Sequence, residues 1–545
     1  MKNLLLVFTL FCAFSGQAQV KTTISAPAKP KIVVGLMVDQ MRWDFLYRYA
    51  DRYTEGGLKR LVREGFNCEN TMIPYAQTVT ACGHATVYTG SVPAINGIMG
   101  NEWFSRELNR QVYCVEDPTV KTVGSGRESP PMSPRNLQVT TMCDELRISN
   151  NYQSKVVGIA IKDRGGILPA GHTANAAYWY DGSTGNWVSS TYYMQQLPDW
   201  VDAFNNRKMP DSLYKLNWNT LFPIDTYRMS DPDDKVYEGK FAFDPKPVFP
   251  HNISAMAGKN YGILPATPYG NTLTLEFAKA AIVAEGLGAD QYTDFLAVSL
   301  SSPDYIGHQY GPNSVEVEDT YLRLDRELAA FFSYLDKKFG KNGYLFFITA
   351  DHGVANTPEY SVEHKLPGGR NGAMTTKALN NVAAKYNVKS LVRNFSNYQI
   401  YLDYAVIDSV KLDIDEVKES FIKELMKQPG VALAFDNDEI DEAPLPANIK
   451  ERFIQGRNAK LAGDIQVVLS SGYLNYGSTG TSHGSWYPYD AHIPFVLMGW
   501  GIKPGSLGRE VYMSDIAPTI CNLLKIQMPS GTTGTAIPEI TDAKR

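Results

Sequence analysis

The chain has 545 residues, of which 44% are hydrophobic and 20% are charged. This composition is typical of a folded globular protein and excludes disorder along the whole chain. The formal net charge of -5 gives no electrostatic basis for binding nucleic acid or an anionic membrane surface, so we expect neither as a partner.

The first residues of the chain have the pattern of a secretory signal peptide. A lysine precedes an apolar run from Leu4 to Phe14, and small residues that include Ala18 follow it. This pattern predicts cleavage after Ala18, with residues 1–18 as the signal peptide and a secreted or periplasmic mature protein. Lipid attachment at Cys12 is the alternative, but the residue before it is too large for the usual lipoprotein cleavage site. Elsewhere the sequence has no run of roughly 18 apolar residues that could span a bilayer.

The mature chain keeps an odd number of cysteines, and none of them shows CxxC spacing. This pattern predicts neither a disulfide scaffold nor a zinc knuckle, although one or two disulfide bridges are an alternative to free cysteines. The residues are Cys68, Cys82, Cys114, Cys143 and Cys521.

Strand-like and helix-like segments alternate along the mature chain, which we expect to form a single domain over residues 19–545. The predicted elements are a strand at 31–39, a helix at 46–66 that its Gly-Gly pair interrupts, a strand at 155–161, a helix at 272–287, a strand at 294–300, a helix that Ser314 opens, strands at 344–350, 464–470 and 492–501, and a closing helix near 514–524. Apolar residues recur every three or four positions in the helix after Ser314, so we expect one of its faces to be buried.

Two segments interrupt this alternation. Residues 165–270 are rich in Trp, Tyr, Pro, Asn and Asp with little clear period, and residues 375–460 combine strand and helix pieces with acidic runs. We expect both to be irregular insertions that form a cap over the functional site. The near-continuous apolar strands elsewhere predict an α/β fold with a mostly parallel central sheet and helices on both faces. In such sheets, ligands bind beyond the carboxyl ends of the strands.

Acidic and imidazole side chains follow three of the predicted strands, and a Gly-rich loop supplies one more imidazole. These side chains belong to Asp39, Asp304, His308, Asp351, His352 and His483. Along one edge of a parallel sheet the carboxylates would repel one another, and divalent cations would stabilise them. Three histidines and three aspartates suffice for two sites with three protein ligands each. The mixed ligands favour zinc over magnesium, with manganese and iron as alternatives.

Each of these side chains also has an ordinary interpretation. A single Asp at the end of a strand is usually a turn or cap residue, so only the joint occurrence indicates metal binding. We expect the other histidines to pack, cap or face solvent, although His364 and His492 lie near the candidate ligands in sequence. These other histidines are His84, His172, His251, His364 and His492.

The ordered motifs of the chain resemble those of the alkaline phosphatase superfamily. They are "VDQMRWD", "TVTACGHATVYTG", "SSPDYIGHQYGP", "TADHG" and "GTSHG". With "GNEW" and "IKDR", the set closely resembles the zinc-dependent, phosphate-irrepressible alkaline phosphatases that use a Thr nucleophile. The resemblance covers most of the mature chain and implies two zinc ions per chain. One would be held by Asp304, His308 and His483, and the other by Asp39, Asp351 and His352.

The resemblance also assigns the nucleophile to Thr80, which would contact the metal ions. Thr80 stands just before a predicted helix, whose N-terminus favours a developing oxyanion. A Thr hydroxyl needs a metal ion or a base to lower its pKa. Thr78 is the alternative, because both hydroxyls would share one face of a strand. Cys82 is interpreted as a small buried residue.

Lys162 and Arg164 stand two residues apart just after a predicted strand. By themselves they predict a solvated surface pair, but the resemblance assigns both, together with Asn101, to the catalytic phosphate-binding set. A monoester carries about one more negative charge than a diester at neutral pH, so this cationic pair favours small-molecule phosphate monoesters as substrates.

The expected function is therefore that of an exported, zinc-dependent alkaline phosphatase. It would act as a monomer on a broad range of phosphate monoesters, through a phosphothreonine intermediate, and release inorganic phosphate. The alternatives are a phosphodiesterase or nucleotide pyrophosphatase of the same superfamily and a noncatalytic protein that binds zinc or phosphate. The sequence has no CxPxR motif of the kind found in sulfatases, and no ligands for a third, magnesium site can be assigned.

Overall fold

The structure is a computed structural model that describes residues 28–125 and 130–542. The predicted signal peptide, residues 1–18, lies outside the described residues. Within the described part of the chain, none of the helices combines the length and the apolar character that a membrane crossing requires.

The strands of the described residues belong to one large sheet and several small ones. In chain order they are β1 (Ile32–Val38), β2 (Phe66–Cys68), β3 (Thr71–Met72), β4 (Glu102–Ser105), β5 (Arg110–Tyr113), β6 (Thr122–Val123), β7 (Val156–Ala160), β8 (Ala176–Asp181), β9 (Asn186–Ser190), β10 (Asp294–Leu300), β11 (Tyr344–Thr349), β12 (Gly369–Arg370), β13 (Val392–Ser396), β14 (Gln399–Leu402), β15 (Val431–Asp436), β16 (Ile465–Leu469), β17 (Tyr473–Leu474), β18 (His492–Ile493), β19 (Phe495–Gly499), β20 (Gly505–Leu507) and β21 (Val511–Tyr512).

Helices connect these strands and flank the large sheet. In chain order they are α1 (Phe45–Arg48), α2 (Leu58–Glu64), α3 (Thr80–Thr89), α4 (Pro93–Asn96), α5 (Met142–Ile148), α6 (Asp163–Ala170), α7 (Asp199–Asn206), α8 (Met209–Tyr214), α9 (Tyr269–Ala284), α10 (Ser302–Tyr310), α11 (Val315–Phe339), α12 (Pro358–Glu363), α13 (Gly372–Lys385), α14 (Tyr404–Ser409), α15 (Ile414–Leu425), α16 (Ala447–Gly456), α17 (Pro488–Ala491), α18 (Ile516–Leu524) and α19 (Pro538–Thr541).

The large sheet confirms the predicted α/β fold. Its strand order is β20-β2-β19-β11-β1-β10-β7-β8-β9-β6, and the five strands from β11 to β8 are parallel. Every residue of β1, β10 and β11 is buried, because helices cover both faces of the centre of the sheet. The edges differ from the parallel prediction: β19 runs antiparallel to β11, and β9 runs antiparallel to β8.

The helix predicted at 46–66 is interrupted at its Gly-Gly pair as expected, but the interruption is longer than predicted and covers all the residues between α1 and α2. The Asp325 carboxylate of α11 accepts hydrogen bonds from the backbone N–H groups of Thr54 and Leu58, at 2.6 and 2.7 Å. A Cβ at Gly57 would lie 2.1 Å from Asp325 Oδ1. A buried carboxylate on a distant helix therefore replaces the intrahelical hydrogen bonds of this stretch.

The two predicted insertions contain more regular structure than the sequence suggests. Residues 165–270 contribute β8 and β9 to the large sheet, because their aromatic and β-branched residues form nearly fully buried strands. The strand predicted at 464–470 is present as β16, but it pairs with β14 and β15 in a separate four-stranded sheet of order β13-β14-β16-β15. That sheet extends past residue 460, where the second insertion was expected to end.

Candidate active site

Three neighbouring parallel strands end at the same edge of the large sheet and carry predicted metal ligands. β1 leads into Asp39, and β11 leads into Asp351 and His352. β10 leads into α10, which carries Asp304 and His308. Because β1 lies between β11 and β10, the three chain segments meet at the carboxyl edge of the sheet.

The predicted ligands form two compact groups. Within each group, one possible ligand atom from every member lies within 4.8 Å of those from the others. The first triad consists of Asp304, His308 and His483, and the second triad consists of Asp39, Asp351 and His352. The Gly-rich loop after β17 supplies His483 to the first triad.

Backbone carbonyl groups orient the imidazole rings of both triads. Nδ1 of His308, His352 and His483 lies 2.8, 2.9 and 2.7 Å, respectively, from a backbone carbonyl oxygen. A carbonyl oxygen only accepts, so each Nδ1 carries the ring proton and each Nε2 keeps a lone pair. Metal-ligating histidines are typically held in this way.

The second triad contains buried polar atoms that lack a hydrogen-bond partner among the described residues. They are Asp39 Oδ1, Asp351 Oδ2 and His352 Nε2, and all three side chains are fully buried. The other oxygen, Asp351 Oδ1, accepts from the backbone N–H groups of Gln40 and His352. Each unpaired buried polar atom costs about 1–3 kcal/mol, which a cation bound between them would offset. The residues present therefore fit a divalent metal ion.

The charges of the two triads act on one another. Burial, followed by the neighbouring carboxylates, raises the pKa of Asp39 well above its usual range. Burial alone would also raise the pKa of Asp304, but His308 and Lys162 outweigh it and hold that pKa well below its usual range. Burial lowers the pKa of His352 to about 3, so its imidazole is neutral at neutral pH, as a metal ligand requires.

Lys162 lies between the two triads. Its Nζ is 2.6 Å from Asp39 Oδ2 and 2.5 Å from Asp304 Oδ2. Burial lowers the pKa of Lys162, but the two carboxylates outweigh it and raise that pKa above its ordinary value, so the side chain is a cation. An ammonium group has three donors, and one stays available for a ligand oxygen.

Thr80 is the first residue of α3 and has only 1% of its surface exposed. The segment around it contacts both triads. Thr78 O accepts a hydrogen bond from Nδ1 of His483 in the first triad. A Cβ at Gly83 would lie 2.3 Å from the carbonyl oxygen of Asp351 in the second triad, so only glycine permits this close approach. Thr80 therefore lies on a segment that spans the two triads.

Two polar side chains near Thr80, those of Thr78 and Asn101, are held by hydrogen bonds. The Thr78 hydroxyl donates to Ser485 O at 2.7 Å, so its proton is engaged with the Gly-rich loop. Asn101 Oδ1 accepts from the backbone N–H of Ala81 at 2.9 Å. Because its oxygen is occupied in this way, Asn101 can present its amide N–H groups to a ligand beside the N-terminus of α3.

A tyrosine holds Arg164 in place. Arg164 Nη1 donates to the Tyr113 hydroxyl at 2.9 Å, and that hydroxyl donates to Asp163 Oδ1 at 2.6 Å. Tyr113 ends β5, and the paired strand β4 starts directly after Asn101. The β4–β5 hairpin therefore positions two of the side chains that the sequence assigns to phosphate binding.

Three residues that contact the candidate site were not among those predicted from the sequence: Gln40, His84 and Tyr113. His84 was expected only to pack or cap, but its Nδ1 lies 2.8 Å from Thr80 O and 3.4 Å from Asp351 Oδ2. Gln40 and His84 stand inside the quoted motifs, so adjacency to a ligand or the nucleophile was a usable signal. No signal identifies Tyr113, because only the tertiary fold brings β5 to α6.

The remaining candidates from the sequence lie outside the triads. His364 is exposed and contacts the carbonyl oxygen of Tyr360, and His492 contacts that of Glu69. The five cysteines of the described residues are buried and free. Burial raises the pKa of Cys82 well above its ordinary value, so its thiol stays protonated, in agreement with a packing role.

A cleft of about 950 Å³ opens beside the triads. Lys162, Arg164 and His308 line its inner side. Residues 234–236, 238–240 and 245–247, which belong to the first predicted insertion, line it as well. Part of that insertion therefore forms a wall of the cleft through which a substrate would reach the triads.

Comparisons with known proteins relate this geometry to a family. The model of the type I phosphodiesterase / nucleotide pyrophosphatase family matches residues 33–489. The chain is 51% identical to alkaline phosphatase PhoV of Synechococcus elongatus, over 97% of this chain and 98% of that protein. It is also 51% identical, over 98% of each chain, to a protein of Myroides odoratus named calcium-transporting ATPase.

A third relative has a solved structure. Alkaline phosphatase PafA of Elizabethkingia meningoseptica is 47% identical, over 96% of this chain and 97% of that protein. The crystal structure of wild-type alkaline phosphatase PafA superimposes with a TM-score of 0.92 and covers 95% of this chain and 100% of the PafA chain. The chain therefore belongs to the type I phosphodiesterase / nucleotide pyrophosphatase family, within the alkaline phosphatase superfamily.

Proposed function

We propose that the protein is an alkaline phosphatase that hydrolyses a broad range of phosphate monoesters and releases inorganic phosphate. The observation that carries this proposal is the pair of buried metal-ligand triads on either side of the segment that starts α3, with Thr80 at its first position. The names of two relatives, alkaline phosphatases PhoV and PafA, support the same activity.

Two zinc ions per chain are the proposed cofactors. The first triad, with two histidines and one aspartate, and the second triad, with one histidine and two aspartates, would each hold one ion. When bound, the ions would lower the pKa of the Thr80 hydroxyl and neutralise charge on the leaving-group oxygen. Thr80 and the substrate would contact the bound ions.

Hydrolysis would proceed in two displacement steps at phosphorus. Thr80 Oγ1 would attack phosphorus while the ester bond to the leaving group breaks, and a phosphothreonine would form. Water would then cleave the bond between phosphorus and Thr80 and release phosphate. Lys162, Arg164 and Asn101 would donate hydrogen bonds to the nonbridging oxygens, where charge accumulates in the transition state.

The charge of the phosphate-binding set favours monoesters over diesters. Lys162 and Arg164 are both cations and both line the cleft beside the triads. The decisive experiment compares an aryl phosphate monoester with a diester of the same aryl leaving group, on the purified protein. A higher kcat/KM for the monoester supports the proposal, and a higher kcat/KM for the diester would identify a phosphodiesterase.

Replacing Lys162 and Arg164 together by alanine should lower kcat/KM for the monoester by about 1,000-fold and for the diester by about 10-fold or less. The reason is that two charge-assisted hydrogen bonds of about 1.5–3 kcal/mol each act on the extra charge of the monoester. Steady-state kinetics with both substrates checks this. The control is the double alanine variant of Lys59 and Arg63, a half-buried and an exposed cation of α2 that both pair with Glu55. Equal losses for both substrates would show that Lys162 and Arg164 only stabilise the fold.

A phosphodiesterase is the second candidate, since the matching family model carries that description. A noncatalytic protein would be expected to have a broken ligand set or to lack the Thr, and this chain has both triads and Thr80. Release of the chromogenic alcohol from an aryl phosphate separates the noncatalytic alternative from both enzymes.

We further propose that the protein is exported and acts as a monomer. Expression of the full chain in a Gram-negative host should give a periplasmic protein whose first residue is Gln19, since Ala18 ends the predicted cleavage site. Mass spectrometry of the N-terminal peptide and of the cell fractions checks this. Recovery of the uncleaved chain in the cytoplasm, or of a lipid on Cys12, would contradict it.

A further inference from the structure

Gln40, like Lys162, forms hydrogen bonds to both metal-ligand triads. Its backbone N–H donates to Asp351 Oδ1 of the second triad at 3.1 Å. Its side-chain Nε2 donates to Asp304 Oδ1 of the first triad at 2.7 Å. Only 2% of the residue is exposed, so water competes poorly for either hydrogen bond. One buried residue directly after the ligand Asp39 therefore links ligands of both candidate metal sites.

The backbone of Gln40 is strained in a way that a purely structural role does not require. Its φ is +66°, in the left-handed region that residues with a side chain seldom adopt. Outliers of this kind persist only where the surrounding structure holds them, and they cluster at functional sites. Glycine would accept this φ without strain, yet the chain has glutamine here, which indicates that the side-chain amide contributes to the site.

The amide of Gln40 is also enclosed by α10, the helix that carries Asp304 and His308 of the first triad. A Cβ at Gly307 of α10 would lie 1.8 Å from Gln40 Oε1, so the absence of a side chain at this position makes room for the amide. Gly307 lies next to His308 and one helical turn after Asp304, which accepts the Gln40 hydrogen bond. The amide therefore packs against the part of α10 that positions both of these ligands.

Asp304 Oδ1 is also the oxygen that faces the imidazoles of the first triad. It lies 3.2 Å from His308 Nε2 and 3.5 Å from His483 Nε2. The Gln40 amide thus binds the oxygen that would be a ligand of the first metal ion, while Lys162 binds Asp304 Oδ2. A hydrogen bond to a ligating carboxylate fixes its orientation and affects metal affinity.

We infer that Gln40 is a positioning residue that sets the zinc affinity of the first triad through its side-chain amide and links that triad to the second through its backbone. The inference rests on the proposed two-zinc site. It assigns separate effects to the two parts of the residue: changes of the side chain act on Asp304, whereas the hydrogen bond to Asp351 comes from the backbone.

The test is zinc affinity, measured by competition with a chromogenic chelator on the full mature chain. Gln40→Ala should raise the dissociation constant of one of the two zinc ions by about 10- to 100-fold and change that of the other by about threefold or less. Gln40→Gly should weaken the same ion to the same extent. The metal-free Gly variant should nevertheless melt at a higher temperature than the metal-free Ala variant, because glycine removes the strain at positive φ. Gln455→Ala is the control: Gln455 is a half-buried residue of α16 that donates to Glu451, so this variant should bind zinc as the unmodified protein does.

Two background variants assign the effect to one triad. In His483→Ala, where the first triad is already broken, Gln40→Ala should cause no further loss of zinc affinity. In Asp351→Ala, where the second triad is broken, Gln40→Ala should lower the zinc affinity of the remaining first triad by the same factor of about 10 to 100. Equal weakening of both ions, or the same loss in both backgrounds, would overturn the inference. If the unmodified protein binds fewer than two zinc ions, the proposed cofactors fail; if it binds two and Gln40→Ala binds both as tightly, only the role of Gln40 fails.

Discussion

Replacing Thr80 by alanine should lower kcat/KM for an aryl phosphate monoester by about 10,000-fold or more and abolish the trapped phosphoenzyme. The substitution removes the one hydroxyl that lies at the start of α3, on the segment that spans both triads. Loss of a covalent nucleophile typically costs an enzyme several orders of magnitude in rate. Stopped assays with a labelled phosphate ester, followed by acid quenching, measure both quantities.

Thr78→Ala is the matched control, because it removes a hydroxyl two residues earlier. That hydroxyl already donates to Ser485 O, so its loss should cost about tenfold or less, the value of one hydrogen bond in the loop that carries His483. A phosphoenzyme that persists in Thr80→Ala and disappears in Thr78→Ala would move the nucleophile to Thr78. Zinc content must be equal in both variants for this comparison to hold.

Removing the metal ions by chelation should reduce monoester hydrolysis to the rate without enzyme, and adding zinc should restore it at two equivalents per chain. The second triad contains three buried polar atoms without a hydrogen-bond partner among the described residues, and burial together with Asp304 and Asp351 raises the pKa of Asp39 even though Lys162 lies beside it. Elemental analysis of the purified protein and activity as a function of added zinc check the prediction. One zinc ion or none per chain would contradict the assignment of two triads, and recovery with magnesium alone would contradict zinc.

His352→Ala and His364→Ala separate a ligand from a surface histidine. His352 is fully buried, and its Nε2 has no hydrogen-bond partner among the described residues, so its loss should remove one zinc ion and nearly all activity. His364 is exposed, stacks on the Tyr360 ring and makes a hydrogen bond to the Tyr360 backbone carbonyl. Its replacement should leave two zinc ions bound. A matching loss of zinc in both variants would indicate general destabilisation.

The central strands were predictable from the sequence because their burial on both faces leaves a continuous apolar run. The predicted strand at 294–300 coincides with β10, the strand predicted at 31–39 is longer than β1 by one residue at each end, and the strand predicted at 344–350 is longer than β11 by one residue at its C-terminal end. Ser314, predicted to open the long helix, is the N-cap of α11, and its side chain accepts from Val317 N. Such signals are local, so neighbouring residues suffice to specify them.

The Gly-Gly pair predicts an interruption within 46–66, but the length of that interruption was not predictable in the same way. Its local sequence is amphipathic, but the carboxylate that caps the turn, Asp325, lies more than 250 residues later in the chain. The edges of the large sheet also depend on segments that are distant in the chain. β19 joins antiparallel to β11, and β9 joins antiparallel to β8, since pairing partners and direction depend on contacts between distant segments.

By itself, the sequence indicated which residues could bind metal, because the apolar runs show where strands end and ligand-type residues follow directly, whereas the phosphate-binding candidates came only from the resemblance to a family. It also indicated an order of motifs typical of one superfamily. Only the tertiary structure decided how Gln40, Tyr113 and His84 support the site. Their partners lie on other elements, and a hydrogen bond between distant segments depends on the packing of the whole sheet, which leaves no periodic signal in the chain around them.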